Sequence, residues 1–183
     1  MHKTMENSKI IEKINTTIDT LFKKDKWLIE KDLSEQSISH KLAEYIQAEF
    51  ADYNVDCEYN GNSHNEYGRK KIIVIKRELG RRGLLRKKEE ENPFDLIKKS
   101  VFPDIIIHNR GSNDNNLCII EVKKSTNKTS FDYDKIKLSH YTTDYYGNVL
   151  KYSLGIFLLI TTGTTEKKVD LQFFINGELT TFD

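Results

Sequence analysis

The chain has 183 residues, with 29 Lys and Arg against 28 Asp and Glu, and its formal net charge of +1 excludes a global field that attracts nucleic acid. Hydrophobic residues make up 37% of the chain and charged residues 31%, which is typical of a polar globular protein and not of a disordered one. The length suits one domain, residues 1–183, and no apolar run approaches the roughly 20 residues that span a membrane. Residues 1–7 lack the apolar segment of a signal peptide, so we expect a cytoplasmic protein.

Two helices are predicted near the N-terminus. Apolar residues recur at helical spacing over residues 8–24, within an N-terminal helical extension that we define as residues 1–30. This helix is expected either to pack on the core or to form a dimer interface. A second helix is predicted over residues 33–50, with Asp32 as its N-cap and Glu35 reaching back in a capping box.

Residues 53–60 alternate in polarity and predict a strand, which a basic insertion follows. The insertion, residues 68–99, holds twelve Lys and Arg against five Asp and Glu, so its local charge is +7 and the rest of the chain carries −6. We expect a strand over residues 71–76, then a loop or short helix. Such a block could hold a nucleic-acid phosphate backbone, or it could be a solvated segment without a partner.

The most informative stretch is residues 101–125, which reads as two short apolar strands joined by a turn rich in Gly, Asn and Asp. Three charged residues lie in these strands, Asp104, Glu121 and Lys123. Burying a lone charge is costly unless it is paired or binds a metal. Glu121 and Lys123 share a strand face, and if Asp104 lies opposite, two carboxylates and an ammonium converge. The alternative is an exposed hairpin with ordinary surface charges.

The remaining elements complete an α/β pattern. A helix is predicted over residues 131–141, followed by a very apolar strand at residues 152–161 and a last strand at residues 169–175. The two cysteines, Cys57 and Cys118, lie in predicted strands without metal-ligand spacing, so we expect both to be buried reduced thiols.

The order of Pro103-Asp104, a strand–turn–strand gap and Glu121-Val122-Lys123 resembles the PD-(D/E)XK nuclease superfamily. The resemblance extends over residues 33–160, because the order helix, three strands, helix, strand is that of the αβββαβ core of the superfamily. It implies a restriction endonuclease-like fold, in which a central mixed sheet is flanked by helices, here with an extra N-terminal helix.

The resemblance also implies a function. We expect a nuclease that depends on Mg²⁺ or Mn²⁺ and hydrolyses phosphodiester bonds in DNA. Asp104, Glu121 and the carbonyl of Val122 would bind the metal, Glu35 would complete the ligand set, and Lys123 would place or activate water.

Further basic residues are expected to contact the nucleic acid: Lys70, Lys71, Arg81, Arg82, Arg86, Lys124 and Lys135. Two other interpretations stay open. One is a nucleic-acid-binding module without turnover. The other is a partner subunit of a phage-defence or restriction-type complex, docked through the N-terminal helix or as a homodimer.

Overall fold

A six-stranded mixed sheet runs through the middle of the protein in the computed structural model, which describes residues 5–62 and 68–182. The strands are β1 (Asn54–Cys57), β2 (Gly61–Asn62), β3 (Gly68–Arg69), β4 (Lys71–Ile75), β5 (Leu96–Ser100), β6 (Ile105–His108), β7 (Cys118–Lys124), β8 (Leu154–Ile160), β9 (Val169–Ile175) and β10 (Glu178–Thr180). The helices are α1 (Asn7–Lys24), α2 (Lys26–Glu30), α3 (Glu35–Glu49), α4 (Lys76–Arg81), α5 (Lys87–Glu90) and α6 (Asp132–Thr142), and a short 3₁₀ turn follows at Tyr145–Gly147.

The central sheet has the strand order β1-β6-β7-β8-β9-β10. Strands β7 and β8 are parallel, and every other neighbouring pair in this sheet is antiparallel. A parallel pair needs a crossover connection, and α6 lies within the one between β7 and β8. Both strands are covered on their two faces, which is why their sequences are nearly continuous apolar runs. The predicted α/β class and central mixed sheet are therefore confirmed.

Apolar side chains pack against both faces of the central sheet. On one face, Ile120 and Val122 of β7 pack with the buried stripes of α1 and α3. On the other face, Ile119 packs with α6 and with the small sheet formed by β4 and β5. The stripe of α1 is buried inside the chain, which is the first of its two predicted roles. None of the described helices combines the length and the apolar character needed to cross a lipid bilayer.

The basic insertion is more ordered than its sequence indicates. Strand β4 pairs antiparallel with β5, and α4 and α5 lie between them in the chain. Strand β5 was not predicted, because only Ile97 of its five residues is buried and two lysines follow directly. The short strand β10 was not predicted either.

Two further details differ from the sequence predictions. The N-cap of α3 is Ser34, whose Oγ accepts a hydrogen bond from the Ser37 amide at 3.1 Å, so the capping role predicted for Asp32 is wrong. Both cysteines are free, as expected, but Cys57 is only half-buried whereas Cys118 is fully buried. Residues 1–4 of the N-terminal extension lie outside the described part of the chain.

The close packing of α6 on β8 leaves little room for a side chain at Gly155. A Cβ at this position would lie 3.1 Å from Thr142 Cγ2 and 3.3 Å from Leu138 Cδ2 of α6. We expect Gly155→Val to lower the free energy of unfolding by about 1–3 kcal/mol through overpacking, measured by urea denaturation. Ser100→Val introduces the same side chain at an exposed strand position and should change stability by less than about 0.5 kcal/mol. Equal stability of the two variants would contradict this close approach.

Candidate active site

The register of the central hairpin brings the first two predicted site residues together. Strands β6 and β7 are antiparallel, with Ile105 opposite Ile120, so the next pair outward is Asp104 and Glu121. Residues opposite each other in such a pair share a face of the sheet. Asp104 is fixed further by its Oδ2 atom, which accepts a hydrogen bond from the Val122 amide at 2.8 Å. Burial raises the pKa of Asp104, although Lys123 and the Val122 amide oppose the rise.

Glu121 is the most constrained ionisable residue at this site. Its side chain is 0% exposed, and its Oε2 atom accepts a hydrogen bond from Lys137 Nζ at 2.6 Å. Within residues 5–62 and 68–182, its Oε1 atom has no hydrogen-bond partner. Burial raises the pKa of Glu121 to about 8, and the Lys137 ammonium opposes that rise. Glu121 Oε2 is thus paired with the Lys137 ammonium, whereas Oε1 is left for a ligand.

Lys137 forms the link between Glu121 and helix α6. Its Nζ atom also lies 2.8 Å from Asp134 Oδ1, one helical turn earlier. Burial lowers the pKa of Lys137, but Glu121 and Asp134 raise it by more, so the net pKa lies well above the usual value. That shift favours an ionised Glu121, whereas the raised pKa of Glu121 favours the neutral acid. We take the ion pair as the dominant form, because a contact of 2.6 Å is typical of a charge-assisted hydrogen bond.

Lys123 lies among carboxylates. Its Nζ atom is 3.6 Å from Asp134 Oδ2, 3.8 Å from Glu35 Oε1 and 4.0 Å from Asp104 Oδ2. Burial alone would lower its pKa, but these carboxylates, Asp134 first, raise it by more, so the pKa lies above its usual value. Lys123 is therefore a fixed ammonium at neutral pH, suited to orienting water or stabilising negative charge rather than to accepting a proton.

Glu35 reaches the site from the first turn of α3, but it does not cap that helix. Its Oε2 atom accepts hydrogen bonds from the Lys124 amide and from Asn127 Nδ2, each at 3.0 Å. The side chain thus fastens the start of α3 to the end of β7. It also supplies one of the carboxylates around Lys123.

The donors for a divalent cation are limited. Across the described part of the chain, no group of three or more His, Cys, Asp or Glu side chains is arranged to hold a metal ion. Of the predicted metal ligands, Asp104, Glu121 and the Val122 carbonyl remain, because the Glu35 carboxylate is engaged in other hydrogen bonds. Mg²⁺ sites commonly use only one or two carboxylates and complete the shell with water and phosphate oxygens. The free Oε1 atom of Glu121 is the observation that fits such an ion.

A cavity of about 300 Å³ opens beside these residues, lined in part by Glu35, Glu58 and Asp104. Three carboxylates on one wall repel a phosphate unless a cation lies between them and the ligand. The cavity is thus large enough for a small ligand group, and its charge is suited to a cation or to a phosphate bound through one.

The residues predicted to contact nucleic acid have different environments. Lys70 is only 1% exposed: its Nζ atom donates to the Gly61 carbonyl at 2.5 Å and lies 4.7 Å from the Tyr59 ring centroid. Burial lowers the pKa of Lys70 to about 8. Lys70 is therefore an internal residue, and the surface role predicted for it is wrong.

Two other lysines predicted to bind nucleic acid, Lys124 and Lys135, contact groups of the protein itself. Lys124 Nζ donates to the backbone carbonyls of Asp32 and Leu33 at 3.1 and 3.0 Å, and Lys135 Nζ lies 5.2 Å from the Phe157 ring centroid. The remaining predicted contacts are exposed and stay predictions: Lys71, Arg81, Arg82 and Arg86. Of these, Arg82 pairs with Asp132 of α6 at 3.2 Å.

Sequence reasoning missed Asp134 altogether, and it assigned Lys137 to the surface, facing solvent or substrate phosphates, rather than to a pair with Glu121. Both are buried although they lie on a helix, α6, whose inner face also carries His140. The available signal was the spacing of opposite charges three positions apart on a helix expected to cover the sheet. Sequence alone could not show that this pair faces inward.

Comparisons of the chain with protein-family models, with curated proteins and with solved structures gave no match. The site is therefore interpreted from its own geometry.

The Glu121–Lys137 pair predicts a stability effect that depends on pH. Lys137→Met leaves Glu121 buried without its cation and should cost about 3–5 kcal/mol in the free energy of unfolding near pH 8.5. Without the Lys137 ammonium, burial dominates the pKa of Glu121 and raises it. An acid whose folded-state pKa is raised loses stability as pH rises above its unfolded pKa, so the loss caused by Lys137→Met should be smaller near pH 5. Urea denaturation at both pH values measures it.

The double variant Glu121→Gln/Lys137→Met should recover most of that loss, because both charges are then gone. Lys128→Met, at an exposed position shortly before α6, is the control and should be nearly neutral. A loss below about 1 kcal/mol for Lys137→Met near pH 8.5 would contradict the role of Lys137 as the compensating charge.

Proposed function

We propose that the protein is a nuclease that depends on Mg²⁺ or Mn²⁺ and hydrolyses phosphodiester bonds, with DNA as its expected substrate. The observation that carries this proposal is Glu121, a carboxylate without solvent exposure whose Oε1 atom has no hydrogen-bond partner in the described residues. A buried carboxylate oxygen without a partner is costly, and the neighbouring Asp104 carboxylate makes a cation its natural ligand.

The order and direction of the elements support the proposed restriction endonuclease-like core. Helix α3 is followed by β1, β6 and β7, then by α6 and β8, and these four strands are adjacent in the sheet. The first three are successively antiparallel, and the fourth is parallel to the third. This order and direction are those expected of the proposed αβββαβ core, in which the basic insertion would lie between the first two strands and β9 and β10 would follow the last.

Asp104, Glu121 and the Val122 carbonyl would hold the divalent ion. When bound, the ion would supply Lewis acidity to the phosphoryl oxygen and a lower pKa to an attached water. Lys123, kept protonated by its carboxylate neighbours, would orient the attacking water and stabilise negative charge on the phosphoryl oxygens. Glu35 would act as a positioning residue for Lys123, through the contact at 3.8 Å, and its part as a further metal ligand stays a prediction.

A second candidate function is nucleic-acid binding without turnover. It is favoured by the Lys137 ammonium, which occupies the Glu121 Oε2 atom at 2.6 Å and supplies a permanent cation there. The two functions differ in their need for metal. Binding that persists without divalent ions and no cleavage with any of them would favour the second.

Cleavage of plasmid and short duplex DNA by the purified protein with Mg²⁺ or Mn²⁺ tests the first proposal. Asp104→Asn and Lys123→Ala should each lower the cleavage rate about 10²-fold or more, because the first removes a charged metal ligand and the second removes a cation beside the reacting phosphate. Glu12→Ala and Lys9→Ala replace exposed residues of the same charge on α1 and should leave the rate unchanged.

Metal binding gives a readout that does not depend on cleavage. Mn²⁺ should raise the melting temperature of the parent protein and have a much smaller effect on Asp104→Asn. Cleavage that survives both Asp104→Asn and Lys123→Ala would identify a contaminating nuclease and would count against the assignment.

A further inference from the structure

The basic insertion carries a second cavity, of about 520 Å³, between α5 and β5. Its floor includes the buried Ile97, and its wall includes Phe94 and Leu96, which are 71% and 43% exposed. A phenylalanine ring with this much exposure, next to a concavity, is an unusual surface feature for a polar chain.

The backbone around Phe94 is held in place by hydrogen bonds. The Phe94 amide donates to Asn92 Oδ1 at 2.9 Å, and Lys76 Nζ donates to the Asn92 carbonyl at 2.9 Å and to the Glu90 carbonyl. The Lys76 amide in turn donates to the Asp95 carbonyl at 2.6 Å. Because this segment is already held, a ligand that contacts the ring has little ordering cost to overcome.

The rim of the cavity has a net positive charge. Lys88 and Lys98 are exposed on it, and the acidic residue in its lining, Glu89, pairs with Lys99 at 3.2 Å. A flat apolar wall with cations at its edge is complementary to a group that has an aromatic face and flanking negative charges. A nucleotide in a strand is such a group, whereas an apolar peptide segment would leave the lysines unmatched.

The insertion is also tied directly to the candidate active site. Lys99 Nζ lies 5.1 Å from the ring centroid of Tyr133 on α6, and Lys137 Nζ lies 5.7 Å from the same centroid. One aromatic ring therefore separates the insertion from the cation that binds Glu121.

We propose that an unpaired base of a single-stranded nucleic-acid segment stacks on Phe94, with its neighbouring phosphates on Lys88 and Lys98. The inference rests on the proposed function in taking nucleic acid as the ligand. It adds that the preferred substrate has an unpaired or splayed segment beside the bond that is cut. Stacking on an aromatic ring is tolerant of base identity, so this contact selects strand structure and not sequence.

Fluorescence anisotropy with a labelled single-stranded oligonucleotide and its duplex, in EDTA, tests the contact without cleavage. Phe94→Ala should weaken binding of the single strand about tenfold and change duplex affinity by less than about twofold, and Phe94→Trp should restore it. Lys98→Ala should reduce the slope of log affinity against log salt concentration by about 1, because one phosphate contact is lost. Trp27→Ala removes an aromatic side chain of comparable exposure, 59%, from α2 and should bind as the parent does.

Equal single-strand affinity of Phe94→Ala and the parent would overturn the inference while leaving the nuclease proposal intact. An equal loss of single-strand affinity in Trp27→Ala would overturn it as well. So would self-association of the parent that Phe94→Ala abolishes in size measurements, because a second copy of the chain would then be what binds to Phe94. If the parent binds no nucleic acid at all, the inference and the proposed substrate both fail. The melting temperature of Phe94→Ala, expected to be unchanged at so exposed a position, separates a binding loss from misfolding.

Discussion

Moving a carboxylate from water into a protein interior costs on the order of several kcal/mol unless its charge is compensated, and Glu121 is such a group in the middle of the central sheet. Its strand, β7, is covered by α1 and α3 on one face and by α6 on the other, so the Glu121 side chain has no solvent-exposed surface. The compensation comes from Lys137, which is itself held by Asp134. The position of α6 over the sheet is therefore fixed by charge as well as by apolar packing.

The same helix connects the insertion to the site. Arg82 of the insertion pairs with Asp132, and His140 Nε2 lies 3.1 Å from Glu78 Oε2 of α4. Asn148, just beyond α6, hydrogen-bonds both the amide and the carbonyl of Ile73 and so covers the outer edge of β4. A segment that looks like a solvated basic loop in the sequence is thus packed against the element that carries the compensating cation.

Much of this arrangement follows from sequence patterns with a period of two or 3.6 residues. The helices α1 and α3, the hairpin of β6 and β7, and the apolar strand β8 were all predicted, because each has an apolar pattern of the matching period or a run bounded by turn residues. The inward orientation of Lys137, the burial of Lys70 and the strand β5 were not. Each depends on tertiary contacts that make charged residues internal, and hydrophobic pattern alone assigns such residues to the surface.

Asp104 and Glu121 are proposed to share one divalent ion. Anomalous X-ray diffraction from crystals of the protein soaked in Mn²⁺ measures this directly. We expect one anomalous peak at bonding distance from an Asp104 oxygen and from Glu121 Oε1, with Lys137 still on Glu121 Oε2. A structure in which Mn²⁺ binds elsewhere, with the Asp104 and Glu121 carboxylates contacted only by lysines and backbone amides, would contradict it.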